Sequence, residues 1–432
     1  FGNIQGEVAM YDFMLDDVAR AVRDEMREVV KNEVDPDYTR RMDRDEITYP
    51  RELFETFAAH NLLGLRFPEK YGGRGLPWVA ECAAMEEVGP LGTAAGCCYV
   101  MPSIVGEAVN TFGTEDQKQS YLKPMLAGRK VAAEALTEPR GGSDFFGASS
   151  RAEDRGDHFV VRGVKRFIVG AEGADFFLAY VRTNHDENSR PDRRISAMLI
   201  DRGPGVEVKY LYGLMGTRGG GTGRVVFRDV VVPRSNLVGT LHGGAEVFHT
   251  MMVPERLCSA GPITGGMKAC LDVAMHYANR RKAFGRPIRK FQGVSFMVAE
   301  AQTQLDCARA MIYQAARAAD AGAPNLRRIV SETKKYVTEA GWEVSNLAMQ
   351  ITGGLGYTDV LPIERAVRDM RLAQIWTGTN EIMSAMIQHE AFAEHAAERG
   401  LRRDFELDAM HADDSEKIYD DDDMWRVFDE GN

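Results

Sequence analysis

The runs Phe177-Leu178-Ala179-Tyr180-Val181 and Ile195-Ser196-Ala197-Met198-Leu199-Ile200 are short, apolar and rich in β-branched or aromatic residues. Phe159-Val160-Val161 before them and Val225-Val226-Phe227 after them have the same character, and Gly, Asn, Asp or Pro separates each from the next. This pattern reads as strands joined by turns. No helix-length amphipathic segment lies between them, so residues 131–240 predict an antiparallel β-barrel or sandwich rather than a parallel sheet.

Helical patterns lie on either side. Over residues 1–130, Val8, Met10, Phe13 and Met14, then Val18, Ala21 and Val22, recur at roughly helical spacing. Thr114-Glu115-Asp116-Gln117 has the form of a capping box, and Leu126-Ala127-Gly128-Arg129 closes the helix it opens. Segments near 245–282, 292–321 and 326–352 are long enough to pack as a four-helix-type bundle over 241–397. The plan is α+β: an N-terminal helical domain, a middle β domain and a C-terminal helical bundle. Residues 398–432 form an acidic tail in which Asp420-Asp421-Asp422-Asp423 repels itself. The tail reads as solvated, with docking on a subunit surface through Trp425 and Phe428 as the alternative.

The formal charge of the 432 residues is −11. Residues 411–432 hold nine acids and two bases, which leaves −4 for the rest. A nearly neutral body lacks the concentrated basic face that a nucleic-acid binder needs. No apolar run is long enough for a membrane span, and the N-terminus has no secretory layout. The first residue is Phe1, so the sequence is expected to begin inside the encoded chain. The six cysteines form no CxxC, and several sit in apolar helix-like stretches. They read as buried thiols in a reducing compartment, with no metal site.

Gly219-Gly220-Gly221-Thr222-Gly223 precedes a strand, so it reads as a tight turn and not as a phosphate-binding helix start. HExxH, GxSxG and the Walker lysine are all missing, which disfavours hydrolases and nucleotide-driven enzymes. Three other segments are specific together. The first is Ala135-Leu136-Thr137-Glu138-Pro139-Arg140-Gly141-Gly142-Ser143-Asp144-Phe145-Phe146-Gly147. The second is Arg281-Lys282-Ala283-Phe284-Gly285-Arg286-Pro287-Ile288, followed by Phe291-Gln292. The third runs from Gln350-Ile351-Thr352-Gly353-Gly354-Leu355-Gly356-Tyr357 through Arg368-Asp369 to Trp376-Thr377-Gly378-Thr379-Asn380-Glu381-Ile382.

In order and spacing these segments resemble the acyl-CoA dehydrogenase family of flavoproteins, over nearly the whole chain to about residue 393. The resemblance implies FAD as cofactor and an acyl thioester of coenzyme A as substrate. Forming an α,β-double bond removes an α-proton and a β-hydride from a weakly activated chain. A flavin is a strong enough oxidant to take the hydride, and a carboxylate must take the proton while donors hold the developing enolate.

Most members carry the catalytic glutamate immediately before the Gly-Thr of the third segment, where this chain has Thr377. A hydroxyl is far too weak a base at neutral pH. Isovaleryl-CoA and long-chain acyl-CoA dehydrogenases also lack that glutamate and draw one from an earlier helix. Glu255-Arg256 here is similarly placed, 26 residues before Arg281, and the resemblance implies Glu255 as the base. Pro254 is expected to start a helical turn, with Glu255 close to its beginning. Met267-Lys268-Ala269-Cys270-Leu271-Asp272 also resembles the isovaleryl type.

By the same resemblance Thr137 and Ser143 contact the flavin and its phosphate linkage. Arg281, Phe284 and Gln292 reach the FAD of a neighbouring subunit, Gln350 and Gly354 meet its adenine side, and Thr379 and Glu381 close around the cofactor. Phe167 and Val169 flank the flavin where relatives have Trp-Ile-Thr/Ser-Asn. Val169 lacks the usual hydroxyl toward N5, which points to altered potential or oxygen reactivity. Val360 replaces an acidic residue after Gly356-Tyr357, a minor change. Arg256, Tyr99, Trp376 and Thr377 fall on the substrate side. Sharing of FAD implies a homo-oligomer, a dimer of dimers. An electron-transferring flavoprotein is the implied acceptor, and the location is the bacterial cytoplasm or the mitochondrial matrix.

The leading reading is dehydrogenation of a branched, cyclic or otherwise unusual acyl-CoA. An oxidase, a decarboxylating or eliminating relative, and a non-catalytic CoA-binding subunit stand as alternatives. Ala94-Ala95-Gly96-Cys97-Cys98-Tyr99 offers no guanidinium for the second carboxylate that a glutaryl-type decarboxylation requires.

Overall fold

The computed structural model describes residues 12–398 and 400–408. Val8, Met10, the Asp420–Asp423 run, Trp425 and Phe428 lie outside the described residues. The chain forms two compact units, one up to Ser384 and one from Ala385.

The first unit opens with helices α1 (Asp17–Glu33), α2 (Pro36–Asp43), α3 (Arg51–Ala59), α4 (Trp78–Val88) and α5 (Thr93–Phe112). Asp16 caps α1 by accepting from Ala19 N at 2.8 Å. The α1 face that packs inward carries Ala19, Val22, Met26 and Val29. Of the residues placed on that stripe by spacing, Val22 is buried, whereas Val18 and Ala21 point outward. The capping box forms as expected, with Thr114 and Gln117 exchanging bonds of 3.1 and 3.2 Å at the start of α6 (Glu115–Gln117). A wide π turn over Lys118–Leu122 joins α6 to α7 (Lys123–Leu126), and Gly128 ends it at φ +73°.

Strands follow: β1 (Ala132–Ala135), β2 (Arg151–Asp154), β3 (His158–Ile168), β4 (Phe176–Arg182), β5 (Ile195–Asp201), β6 (Val206–Leu211), β7 (Gly223–Pro233) and β8 (Leu237–Val238). All four apolar runs quoted above fall inside strands. The sheet order is β6-β7-β3-β2-β4-β5-β8, with β1 also on β4. The expectation of an antiparallel barrel or sandwich is therefore corrected. β1 pairs parallel to β4 over its whole length, and β2 meets β4 parallel at Arg151 and Arg182, so the sheet is mixed. A parallel pair needs a long connection, and the β2–β3 hairpin supplies it without a helix.

β4 is buried on both faces, which explains its unbroken apolar run. Phe177, Ala179 and Val181 enter a core within the sheet domain, whereas Phe176, Leu178 and Tyr180 join the core shared with the helices. β1 alternates in the same way. Ala133 and Ala135 turn to the sheet core, and Ala132 turns to the helical one.

The last part of the unit is built on α8 (Gly244–Arg280), α9 (Gln292–Asp320) and α10 (Leu326–Thr352), close to the segments read from the sequence. A small hairpin of β9 (Lys282–Ala283) and β10 (Arg286–Pro287) separates α8 from α9. α11 (Ile363–Ala373) and the start of α12 (Asn380–Glu398) follow α10. Within the second unit, from Ala385, α12 ends and an exposed turn covers Phe405–Asp408.

Arg368 and Asp369 on α11 fasten the three regions together. Asp369 is buried and accepts from Thr93 N at 3.0 Å, at the start of α5, and from Thr217 N at 2.6 Å, in the loop before β7. Arg368 holds both carboxylate oxygens of Asp43 at 2.9 and 2.7 Å and donates to Met215 O at 2.9 Å. Asp369→Ala would orphan two buried N–H groups, and we expect a loss of about 3 kcal/mol in urea unfolding. Asp369→Asn, which keeps one acceptor, should lose less.

Candidate active site

Glu255 lies on α8 and is only 6% exposed. Its placement corrects one expectation. α8 begins at Gly244 and runs on through Pro254, so Glu255 is mid-helix and not in a first turn. A proline inside a helix costs about 3 kcal/mol or more. The burial of Val247, Met251, Leu257 and Cys258 on either side holds the helix through it. Burial pushes the Glu255 carboxyl up, while the Glu134 hydrogen bond and the charge of Arg256 pull it down.

Thr377 is brought to the same place. Its hydroxyl shares a 2.9 Å hydrogen bond with Ser259, one helical turn after Glu255. Thr377 and Gly378 both have positive φ, +49° and +82°, which bends the Trp376–Thr379 loop back toward α8. Lys334 on α10 fixes that loop by donating to Gly378 O at 2.8 Å and Asn380 Oδ1 at 2.9 Å. Thr377 thus meets α8 one turn beyond Glu255. Thr379 Oγ1 accepts from Ile382 N at 3.3 Å, and Glu381 is exposed, its carboxyl held below the usual range by local hydrogen bonds.

The first segment is shaped by Glu138. Its carboxylate accepts from Ser149 N and Oγ, both at 2.6 Å, from Ser150 N at 3.0 Å and from Lys165 Nζ at 2.8 Å. Burial works to raise Glu138, yet Lys165 and Ser149 hold it down at about 2. This anchor presents Thr137 half-buried and Ser143 exposed. Arg166 N donates to Thr137 O at 2.9 Å, which sets Phe167 beside the same loop.

β3 gains one residue against β7 between Lys165 and Ile168, and Phe167 sits in that bulge at φ +56°. Bulges of this kind re-aim side chains next to functional sites. Phe167 is 49% exposed, its ring tilted against Tyr212 at 4.6 Å with the Arg166 guanidinium over it at 5.0 Å, and Val169 follows half-buried. The glycine turn forms before β7 as expected, and Gly220 O and Gly221 O accept from Gly170 N and Glu172 N.

Other residues lie elsewhere. Tyr99 is packed into the N-terminal core, edge-on to Phe57 at 5.3 Å. Arg256 is buried and donates to Ser331 on α10 at 2.9 Å. Trp376 is half-buried, with Nε1 enclosed and unbonded. Arg281, Phe284, Gln292, Gln350 and Gly354 are all exposed. Phe284 and Gly285, both at positive φ, form the tip of the β9–β10 hairpin, where Phe284 is 94% exposed. A side chain at Gly285 or Gly354 would meet nothing within 4 Å. Five cysteines are buried and Cys307 is exposed on α9.

Reading the motifs from Ala135 onward missed Glu134, one residue earlier. It lies on β1 beside Glu255, and burial together with that neighbour pushes its carboxyl well above the usual range. The signal was an acid inside the apolar strand Val131-Ala132-Ala133-Glu134-Ala135-Leu136.

The residues fit a flavin. A left-handed bulge offers an aromatic face at Phe167, a half-buried hydroxyl at Thr137 and an exposed one at Ser143 lie on the adjoining loop, and the buried Trp376 Nε1 has no protein partner. Thr137, Ser143, Phe167 and Val169 would hold it.

Lys334 supplies a test of the loop. Burial and the nearby Arg256 lower its pKa to about 7. The unfolded chain therefore binds more protons than the folded one between about pH 7 and pH 10, and stability contributed at this site rises with pH across that window. Lys334→Met should flatten the pH dependence of Tm there and loosen the Trp376–Thr379 loop.

The chain matches the acyl-CoA dehydrogenase N-terminal domain over residues 16–129, the middle domain over 133–230 and the C-terminal domain over 242–392. It is 31% identical to a short-chain-specific acyl-CoA dehydrogenase of Clostridium acetobutylicum over 383 residues, covering 88% of this chain and 100% of that one. It is also 31% identical to the mitochondrial isovaleryl-CoA dehydrogenase of Solanum tuberosum over 386 residues, covering 88% and 92%. A chain solved in work on the electron-transferring flavoprotein of Acidaminococcus fermentans superposes with a TM-score of 0.83 at 30% identity, covering 87% and 98%. The FAD complex of PigA does so with a TM-score of 0.82 at 25% identity, covering 88% and 99%. Among the described residues no helix is long and apolar enough to cross a membrane. Three consecutive domain matches and near-complete overlap with named relatives lead to one conclusion: this chain belongs to the acyl-CoA dehydrogenase family, an oxidoreductase whose cofactor is FAD.

Proposed function

We propose that the enzyme removes the α-proton of an acyl-CoA thioester with Glu255. The observation that carries this is the Ser259–Thr377 contact. It brings the Thr377 hydroxyl to α8 one turn from a buried carboxylate, which supports a base supplied from α8 in place of the late position. FAD, when bound, supplies the acceptor for the β-hydride. A carboxyl raised by burial is a stronger base than a solvated one, closer in pKa to neutral pH. Arg256, committed to Ser331, acts on Glu255 through its charge.

Thr137, Ser143, Phe167, Val169, Thr379 and Glu381 are assigned to the flavin bound by the same chain. Arg281, Phe284, Gln292, Gln350 and Gly354, all exposed, are assigned to a second copy's FAD in a homotetramer. Trp376 and Thr377 face the acyl end. Tyr99, enclosed in the N-terminal core, backs the pocket from behind. An electron-transferring flavoprotein is the acceptor in this reading.

With no glutamate projecting at Thr377, the pocket has a different shape, which favours branched or cyclic acyl groups. Relatives of equal identity include a short-chain-specific enzyme and an isovaleryl-CoA enzyme, so a panel of thioesters decides. Flavin bleaching under nitrogen should be fastest with branched or cyclic acyl groups. Equal rates with straight short chains would count against this pocket.

Glu255→Gln should slow bleaching at least about 100-fold while FAD stays bound. Thr377→Ala should bleach near the wild-type rate. The opposite pattern would move the base. Reoxidation in air that keeps pace with turnover would favour an oxidase instead, a reading that rests on Val169.

A further inference from the structure

The base does not stand alone. Glu134 reaches it from the sheet. β1 pairs Glu134 with Leu178 on β4, and the alternation that sends Ala133 and Ala135 into the sheet core sends Glu134 toward the helices, as it does Ala132. There α8 passes, and the carboxyl groups of Glu134 and Glu255 come within hydrogen-bonding reach. Oε1 of Glu134 is buried without a hydrogen-bond partner, as is the Tyr180 hydroxyl on the same side.

Two buried carboxyls in contact cannot both ionise unless a cation compensates them. The groups facing the pair come from every neighbouring element. Lys165 approaches from β3, Tyr180 from β4, Cys97 from α5, and Arg256 and Cys258 from α8 itself. Neither cation hydrogen-bonds either carboxyl. Lys165 donates to Glu138 Oε1, Leu136 O and Tyr180 O at 2.8, 3.2 and 2.6 Å. Arg256 donates from Nη1 to Ser331, while its buried Nε has no protein partner and its charge acts on Glu255. Among the described residues, neither carboxyl forms an ion pair with a cation.

We propose that Glu134 is a positioning residue that keeps one proton between the two carboxyls and donates it to Glu255, so that Glu255 meets the substrate as an oriented carboxylate. This rests on the reading of Glu255 as base. When the α-proton is taken, the C–H bond of the substrate breaks and an O–H bond forms on Glu255. The pair then holds two protons and is neutral, and one must leave before the next turnover. Glu134 touches Glu255, not the reacting carbon.

The test uses the FAD-loaded enzyme and three variants, Glu134→Gln, Glu134→Leu and Glu255→Gln, each checked for flavin content. Glu134→Gln retains an N–H donor, so the pH at which bleaching reaches half its maximum rate should stay near wild type. Glu134→Leu removes the donor and leaves Glu255 buried alone, so that midpoint should rise by about one pH unit or more, with the rate recovered at high pH. Infrared spectra recorded without substrate at pH above the bleaching midpoint should show a protonated carboxyl band in wild type that is absent from Glu134→Gln. An unchanged bleaching midpoint in Glu134→Leu, or a band that persists in Glu134→Gln, would overturn the proposal. If Glu134→Leu fails to fold, the infrared comparison with the isosteric Gln variant still decides. Wild-type bleaching by Glu255→Gln would instead sink the assignment of the base and leave the infrared result to judge the pair.

Discussion

A single buried carboxylate ties the helical and sheet regions together. Asp369 is buried where α11, the start of α5 and the loop before β7 meet, and it accepts from a backbone N–H of each of the last two. Burial raises its pKa, and those two amides hold it down. Arg368 beside it grips Asp43 at the end of α2. Helical and sheet regions share one apolar core, but apolar contact is non-directional. These polar bonds fix the angle at which the sheet meets the helices. The Trp376–Thr379 loop meets α8 at Ser259.

Polar groups at the next level do the local work. Glu138 and Lys165 form a buried pair that shapes the loop from Thr137 to Ser149, and Lys334 ties down the loop carrying Thr377. In both cases a cation serves main-chain carbonyls as well as a side-chain oxygen. Such a cation positions backbone, and its removal strands acceptors that water cannot reach. The bulge at Phe167 belongs to the same scheme, because its left-handed backbone is held by strand pairing on either side.

Much of this was legible in the sequence. α8, α9 and α10 begin and end within two residues of the apolar periodicity, because long helices repeat their signal many times. The capping box at Thr114 was legible for a local reason, since both partners lie within four residues. The parallel pairing of β1 with β4 was not, because strands 40 residues apart leave no mark of direction in either one. At Pro254 two sequence signals disagreed. The apolar periodicity over 245–282 runs through it, while local rules start a helical turn there, and the burial of the flanks carries the helix on. Glu134 escaped for a related reason. A single acid in a short strand acquires meaning only when the fold shows which carboxyl lies across from it.

The distribution of thiols has a practical side. Burial raises the pKa of Cys82, Cys97, Cys98, Cys258 and Cys270, with Cys98 at about 12, and little thiolate forms at neutral pH. Cys307, exposed on α9, is left as the accessible sulfhydryl of the native protein. A maleimide dye or spin probe added to the folded enzyme would therefore mark one surface of α9, giving a spectroscopic handle without any engineered cysteine.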